Sequence, residues 1–151
     1  MKSSCIITDN AAQFSRSATN DNTTIHLINH RVDLGKQSSI EIQKLKITDL
    51  PKWVSPTTPP TFAQPDKEEI TALLLSLYQT HDDIFLILLS RALHPAYDLI
   101  ESIVNGLHGK ATFHLIDSQT IGLGEGQLVQ LAADLIRKGI PAAVIEENIR
   151  K

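Results

Sequence analysis

The sequence predicts an α/β fold in three layers, a parallel sheet with helices on both faces. Six consecutive apolar residues, Ile84–Leu89, are too few to cross a bilayer and too uniformly apolar for a half-exposed strand. They suit a strand buried on both faces of a parallel sheet. Strand-like and helix-like segments then alternate to the end of the chain at the spacing of right-handed βαβ crossovers. A length of 151 residues, with 42% hydrophobic and 21% charged residues, fits one domain, 1–151, that buries a real core without staples.

The elements follow in order. Cys5–Thr8 reads as a short buried strand running into Asp9-Asn10. Residues 15–24 are small and polar, a loop. Ile25–Leu34 alternates roughly between apolar and polar, a partly exposed strand that Gly35 breaks, and Ser39–Leu45 suggests a further short strand. Residues 51–66 hold Pro51, Pro56, Pro59, Pro60 and Pro65, which predicts an extended rather than helical stretch within the domain. Asp66 opens a helix, with Glu69 at capping-box spacing and Ile70, Leu73, Leu74, Leu77 and Tyr78 on one face. After the strand at 84–89, a second helix is expected from about Pro95 to Leu107, burying Leu99, Ile100, Ile103, Val104 and Leu107. Ala111–Ile116 reads as a third buried strand. A third helix, from about Gly124 to Lys138, presents Leu128, Leu131, Ala132, Leu135 and Ile136 and stops at Gly139, and Pro141 starts a last short helix.

Several function classes are disfavoured. A net charge of −3, a pI near 6.0 and scattered Lys and Arg argue against nucleic acid as the main partner. The lone Cys5 excludes an internal disulfide and sits in an apolar strand, where a thiol is inert. The amino terminus lacks the apolar core of a secretory signal and no run reaches membrane length, so the expected address is the cytoplasm. The six histidines form no HExxH or Cys/His cluster, and no metal or cofactor is expected. No serine lies in GxSxG and no carboxylate pair has a distinctive context, so nothing supports catalysis.

Two loops carry the chemistry that remains. Ser90-Arg91-Ala92-Leu93-His94-Pro95 joins the central strand to a helix start, at the strand end where open α/β sheets bind ligands. A hydroxyl or imidazole there can hold a carboxylate or phosphate, or Ser90 or His94 simply caps the helix. Asp117-Ser118-Gln119-Thr120 follows the next strand, with Gly122, Gly124 and Gly126 behind. GLGEG does not match GxGxxG and there is no Walker pattern, so Asp117 reads better as a structural cap than as part of a nucleotide site.

In this order the features resemble the amino-terminal domain of the DegV family of fatty-acid-binding proteins. The resembling segments are IITDNAA at 6–12, PTFAQPD at 60–66, LLSRALHPAY at 88–97 and FHLIDSQTIGLGEGQLVQLAADLIRKG at 113–139. The resemblance implies a non-enzymatic lipid carrier whose bound acyl chain lies between this domain and a second one, its carboxylate held by hydroxyls. It further implies that Asp9, Ser90, Asp117, Ser118, Gly122 and Gly124 stand at family-like positions. The family's Thr-Ser-Gln-Pro becomes Phe62-Ala63-Gln64-Pro65, with Thr61 one residue early as a partial substitute, and the family's Ser-Gly-Thr becomes His94-Pro95-Ala96. At about 1.5–3 kcal/mol per hydrogen bond to a charged group, those hydroxyl losses weaken carboxylate binding severely.

The expected ligand-binding residues are therefore Thr61, Phe62, Ser90, His94, Asp117, Ser118 and Gly122. The expected ligand is a fatty acid or similar acidic lipid, bound weakly or only within a homo-oligomer or with a separate protein partner, since a lone domain covers one side of the chain. The alternative is an interaction module that kept the fold and lost the site.

Overall fold

The structure, a computed structural model, describes residues 3–13, 25–35, 37–63 and 65–151. The polar loop expected at 15–24 lies outside the described residues, as does Gln64.

Four strands make the main sheet: β1 (Ser4–Asp9), β2 (Ile25–Ile28), β6 (Asp83–Leu88) and β7 (Thr112–Asp117). Their order is β2-β1-β6-β7 and every pairing is parallel. The two central strands are buried throughout from Cys5 to Asp9 and from Asp83 to Leu88, with apolar side chains of both parities over Cys5–Ile7 and Ile84–Leu88. Cys5, Ile7, Ile84, Leu86 and Leu88 point to one face, against Leu74 and Leu77 of α2 (Lys67–Tyr78) and Ile100 of α3 (Ala96–Asn105). Ile6, Phe85 and Ile87 point to the other, against Val129, Ala132 and Ala133 of α4 (Leu123–Arg137) and Ile145 and Ile149 of α5 (Ala142–Ile149). Strand residues of alternate parity thus feed two separate cores, which is the expected three-layer arrangement.

The segment before α2 departs from expectation. Ile25–Leu34 is two strands, not one: the chain turns at Asn29-His30 and leaves the main sheet as β3 (Arg31–Leu34). A second, antiparallel sheet of order β4-β3-β5 forms from β3, β4 (Gln37–Glu41) and β5 (Thr61–Phe62). The expected strand over 39–45 ends at Glu41, and Ile42–Lys44 is a 3₁₀ turn. The proline-rich stretch is not extended throughout. Leu50–Trp53 closes a single helical turn, α1, because Pro51 falls in its first turn, where a missing N–H costs nothing.

Other boundaries differ in smaller ways. Asp66 caps α2 as expected, its Oδ1 accepting from the Glu68 and Glu69 amides at 3.1 and 3.0 Å. β7 is an edge strand, so only His114 and Ile116 are buried and the expected continuous burial fails. The buried stripe of α4 is rotated from the expected one: Glu125, Val129, Ala132 and Ala133 face inward, while Leu131 is exposed.

Candidate ligand site

Parallel strands bring β1, β6 and β7 to a common carboxyl edge, and backbone hydrogen bonds tie the loops there into one border. The Ser90 amide donates to the Thr120 carbonyl at 3.2 Å, the Ser118 amide to Leu88 at 3.1 Å and the Gln13 amide to Gly122 at 2.9 Å. The loops 90–94 and 117–126 therefore lie side by side at one end of the sheet. Gly122 adopts φ +67°, ψ −122°, a conformation natural only for glycine. A Cβ on Gly126 would strike the backbone carbonyl of Gln13. The glycines thus serve the close approach of α4 to the segment after β1.

Beneath this border sits a cluster of buried polar side chains: Thr8, Asp9, His30, His94 and Glu125, each at most 4% exposed. Asp9, at the end of β1, accepts from the Leu89 amide at 2.8 Å and the Ala11 amide at 2.9 Å, and His30 Nε2 stands 3.3 Å from its Oδ2. Burial pushes the Asp9 carboxyl up, but His30 and the two amides outweigh it and hold it below the ordinary carboxylate range. Glu125, fully buried on α4, accepts from Thr8 Oγ1 at 3.3 Å. Burial first, and the neighbouring Asp9 carboxylate second, push it up to about 9, against the small pull of the Thr8 hydroxyl. At neutral pH one proton therefore resides on Glu125 while Asp9 is ionised.

His30 is placed by the turn after β2, where the Asn10 side chain holds its backbone from both sides, Oδ1 accepting from the His30 amide at 3.0 Å and Nδ2 donating to its carbonyl at 3.3 Å. Its ring lies 4.2 Å from that of His94, and Phe62 of β5 meets the His94 ring edge-to-face at 4.6 Å. His94 does cap α3: its Nδ1 accepts from the Ala96 amide at 3.1 Å. Its Nε2 is buried and makes no hydrogen bond. Burial, then the nearby His30, lower His94 to about 4 despite the opposing pull of Asp9.

Next to the cluster a cavity of about 250 Å³ opens between the β2–β3 turn and α2. Leu27, Ile28, Ala63, Pro65, Ile70 and Leu73 make it mainly apolar, and His30 belongs to both cavity and cluster.

The seven residues expected from the sequence do not all converge. Phe62 and His94 touch, and Ser90, 8% exposed, lies in the loop that carries His94. Asp117 is occupied structurally, accepting from the Arg91 amide at 3.2 Å and the Gln119 amide at 3.0 Å, as its reading as a cap requires. Ser118 closes a turn onto Thr120, and Gly122 pairs with Ala12. Thr61 is exposed on β5 opposite Asp33. None of the seven lines the cavity. Sequence reasoning missed His30, which it placed inside a continuous strand, and Glu125, which looks like an ordinary acidic residue in a first helical turn. The signal for Glu125 was present: it continues the i, i+4, i+7, i+8 stripe of Val129, Ala132 and Ala133 back by one turn. Among the described residues no cluster of three His, Cys, Asp or Glu side chains can hold a metal ion, and no helix is long and apolar enough to cross a membrane.

Fold and edge together define a three-layer α/β domain with a small antiparallel sheet appended beyond the end of β2. The chain belongs to the DegV family, whose model, described as "Uncharacterised protein, DegV family", matches residues 3–151. No curated protein matches significantly. Among solved structures, the chain is similar to a fatty acid binding DegV family protein from Streptococcus agalactiae (TM-score 0.85, 20% identity, covering 99% of this chain and 53% of that one). DegV, a fatty acid binding protein from Bacillus subtilis, matches with TM-score 0.81 and 21% identity over 99% and 53%. A DegV family protein from Thermus thermophilus, its structure described as showing fatty acid binding, matches with TM-score 0.81 and 18% identity over 99% and 54%. The chain thus spans about half the length of these proteins.

Proposed function

We propose that this chain is a non-enzymatic, DegV-like lipid-binding domain that takes a fatty acid or similar acidic single-chain lipid at the carboxyl edge of its sheet, weakly or only within an oligomer. The observation that carries the reading is the apolar cavity beside the His30–His94 cluster. At about 250 Å³ it exceeds the ~150 Å³ apolar cavity that suffices for benzene. Part of an acyl chain fits there, at about 0.8 kcal/mol per buried CH₂. The remainder needs cover from a second domain, on this polypeptide, another copy or a separate partner. The fatty-acid binding of the structural relatives supports the same ligand class. Of the residues singled out in the sequence, His94, Phe62 and Ser90 are proposed to meet the head group, with Asp117, Ser118 and Gly122 shaping the border and Thr61 at its rim. A cytoplasmic address accords with this reading.

The test is uptake of labelled hexadecanoic acid by delipidated protein, followed by native mass spectrometry to read subunit number and retained lipid together. One lipid per chain or per dimer is the expected result. No uptake at tens of micromolar, in any oligomeric state, contradicts the reading.

A second reading, an interaction module that kept the fold, draws on Leu93, Ile121 and Leu123, which are 52%, 51% and 68% exposed on the border loops. It predicts stable self-association or a co-purifying partner without lipid, and a clean monomer at high concentration in light scattering contradicts it.

A further inference from the structure

The head-group end of this site differs in kind from a carboxylate receptor. A carboxylate out of water needs several donors or a cation, because a buried charge with one hydrogen bond is badly under-solvated. Among the described residues the groups around the cluster offer little of either, and the one guanidinium on the cavity wall, that of Arg31, is engaged elsewhere. The Nδ1 of His94 accepts from the Ala96 amide, so that nitrogen carries no proton and the ring is neutral, with its hydrogen on Nε2. That same bond consumes the first amide of α3, which would otherwise face an anion, and Asp98 already occupies the first turn. Arg91, on the border loop, is turned away, with Nε 2.6 Å from Asp98, Nη2 3.4 Å from Glu101 and the guanidinium 5.1 Å over the Tyr97 ring. Arg31, on β3, donates to the Ser39 carbonyl at 3.1 Å and stands 3.9 Å from Glu41. Ala63 and Ala96 supply no hydroxyl.

Against these stand the carboxylate of Asp9 and a protonated, uncharged Glu125. Among the described residues the cluster holds three buried side-chain atoms that make no hydrogen bond, the Nε2 of His30, the Oε2 of Glu125 and the Nε2 of His94. His30 Nε2 faces Asp9 at 3.3 Å, whereas His94 Nε2, beneath the ring of Phe62 and beside the His30 ring that lines the apolar cavity, is a donor with no acceptor. An unmade hydrogen bond at a buried donor costs more than a made one contributes, so a ligand acceptor at that position is favoured.

We propose that the site takes a single-chain lipid with an uncharged head group, a long-chain alcohol or a protonated acid, whose oxygen accepts from His94 Nε2. This rests on the lipid-binding reading above and narrows it. The groups facing the head group are Asp9 from β1, His30 from the β2–β3 turn, His94 from the loop before α3 and Glu125 from α4, and the cavity wall adds Arg31 from β3 with Asp66 and Glu69 from the start of α2. Between about pH 5.5 and 8 His94 stays neutral and Glu125 protonated, while a free carboxyl, titrating near about 4–5, becomes almost wholly ionised.

The experiment measures displacement of a fluorescent single-chain lipid from the unaltered protein by hexadecanol and by hexadecanoic acid, at about pH 8 and about pH 5.5. The alcohol arm reports any pH response of the protein itself. The expected result is that the alcohol binds at least about tenfold tighter at pH 8, and that the gap narrows at least about threefold at pH 5.5. A His94→Leu variant is expected to lose most of the alcohol's advantage over a plain alkane of the same length. An acid that binds as tightly as the alcohol at pH 8, or a gap indifferent to pH, overturns this inference and leaves lipid binding intact. Failure of both ligands to displace the probe at either pH overturns lipid binding as well.

Discussion

Two buried histidines on this sheet have opposite surroundings. His114, on β7, has both ring nitrogens matched: Nε2 lies 3.1 Å from Asp83 Oδ1 and Nδ1 2.8 Å from Glu146 Oε2, and the ring stacks on Phe85 at 4.5 Å. His94, at the carboxyl edge, uses one nitrogen to cap a helix and leaves the other buried without a partner. Both are nearly inaccessible, at 8% and 3% exposure, so burial alone does not separate them. Completeness of the hydrogen bonding does. A satisfied polar cluster rigidifies a fold, whereas an unsatisfied one is held at a cost that an added acceptor would relieve.

The sharpest way to break that contrast is His114→Leu. It removes one partner from a buried Asp83 and from Glu146, and about 3 kcal/mol of stability is expected to go, read as a lower urea midpoint at unchanged slope. Lipid binding per folded molecule is expected to stay the same. A loss of binding without loss of stability contradicts the assignment of His114 as structural.

Glu125→Gln probes the other cluster. Glu125 is raised in the folded state, so its contribution is most favourable below the unfolded value near 4.5 and is lost as pH rises toward about 9. A glutamine amide replaces the protonated carboxyl without that liability. The variant is expected to be more stable than the parent at pH 8, by less than the His114→Leu loss, with the gain shrinking toward pH 5. Denaturation midpoints across that range check the sign.

Glu146→Gln is expected to cost about 1 kcal/mol at pH 7, the scale of one hydrogen bond at a partly exposed charge. The His114 bond, reinforced by Arg150 against partial burial, holds Glu146 below the ordinary carboxylate range. Its stabilisation is therefore present above the unfolded value and fades as pH falls through the folded one, so parent and variant converge in acid. The smallest effect falls on His94→Leu. Loss of the cap, about 1 kcal/mol, is offset by removal of an unpaired donor, leaving stability within about 1 kcal/mol of the parent while head-group selectivity disappears.

Much of this architecture can be read from local pattern. Ile84–Leu89, the Asp66 cap and the Gly139 stop each carry a one-dimensional signal strong enough to place an element within a residue or two. The turn at Asn29-His30 carries none, because what bends the chain there is the Asn10 side chain, twenty residues earlier, clamping the His30 backbone. The site was legible in halves. Strand-end reasoning reached Ser90 and His94 from the sequence, and the resemblance flagged Phe62. The pairing of His94 with His30 and the burial of Glu125 beside Asp9 depend on contacts spanning from 64 to 116 positions, which no periodicity encodes. Asp117, by contrast, behaves as its local sequence says, a cap for its own loop.

The most direct test of the account is a two-dimensional ¹⁵N NMR spectrum of the imidazole nitrogens, recorded as a single-chain lipid is added to the delipidated protein. His94 is predicted to show the neutral tautomer protonated on Nε2, and to shift on lipid addition while the His114 signals stay in place. A His94 signal unmoved at saturating lipid, or one that moves no more than His114, would contradict the claim that the unpaired nitrogen at the sheet edge is where the ligand is read.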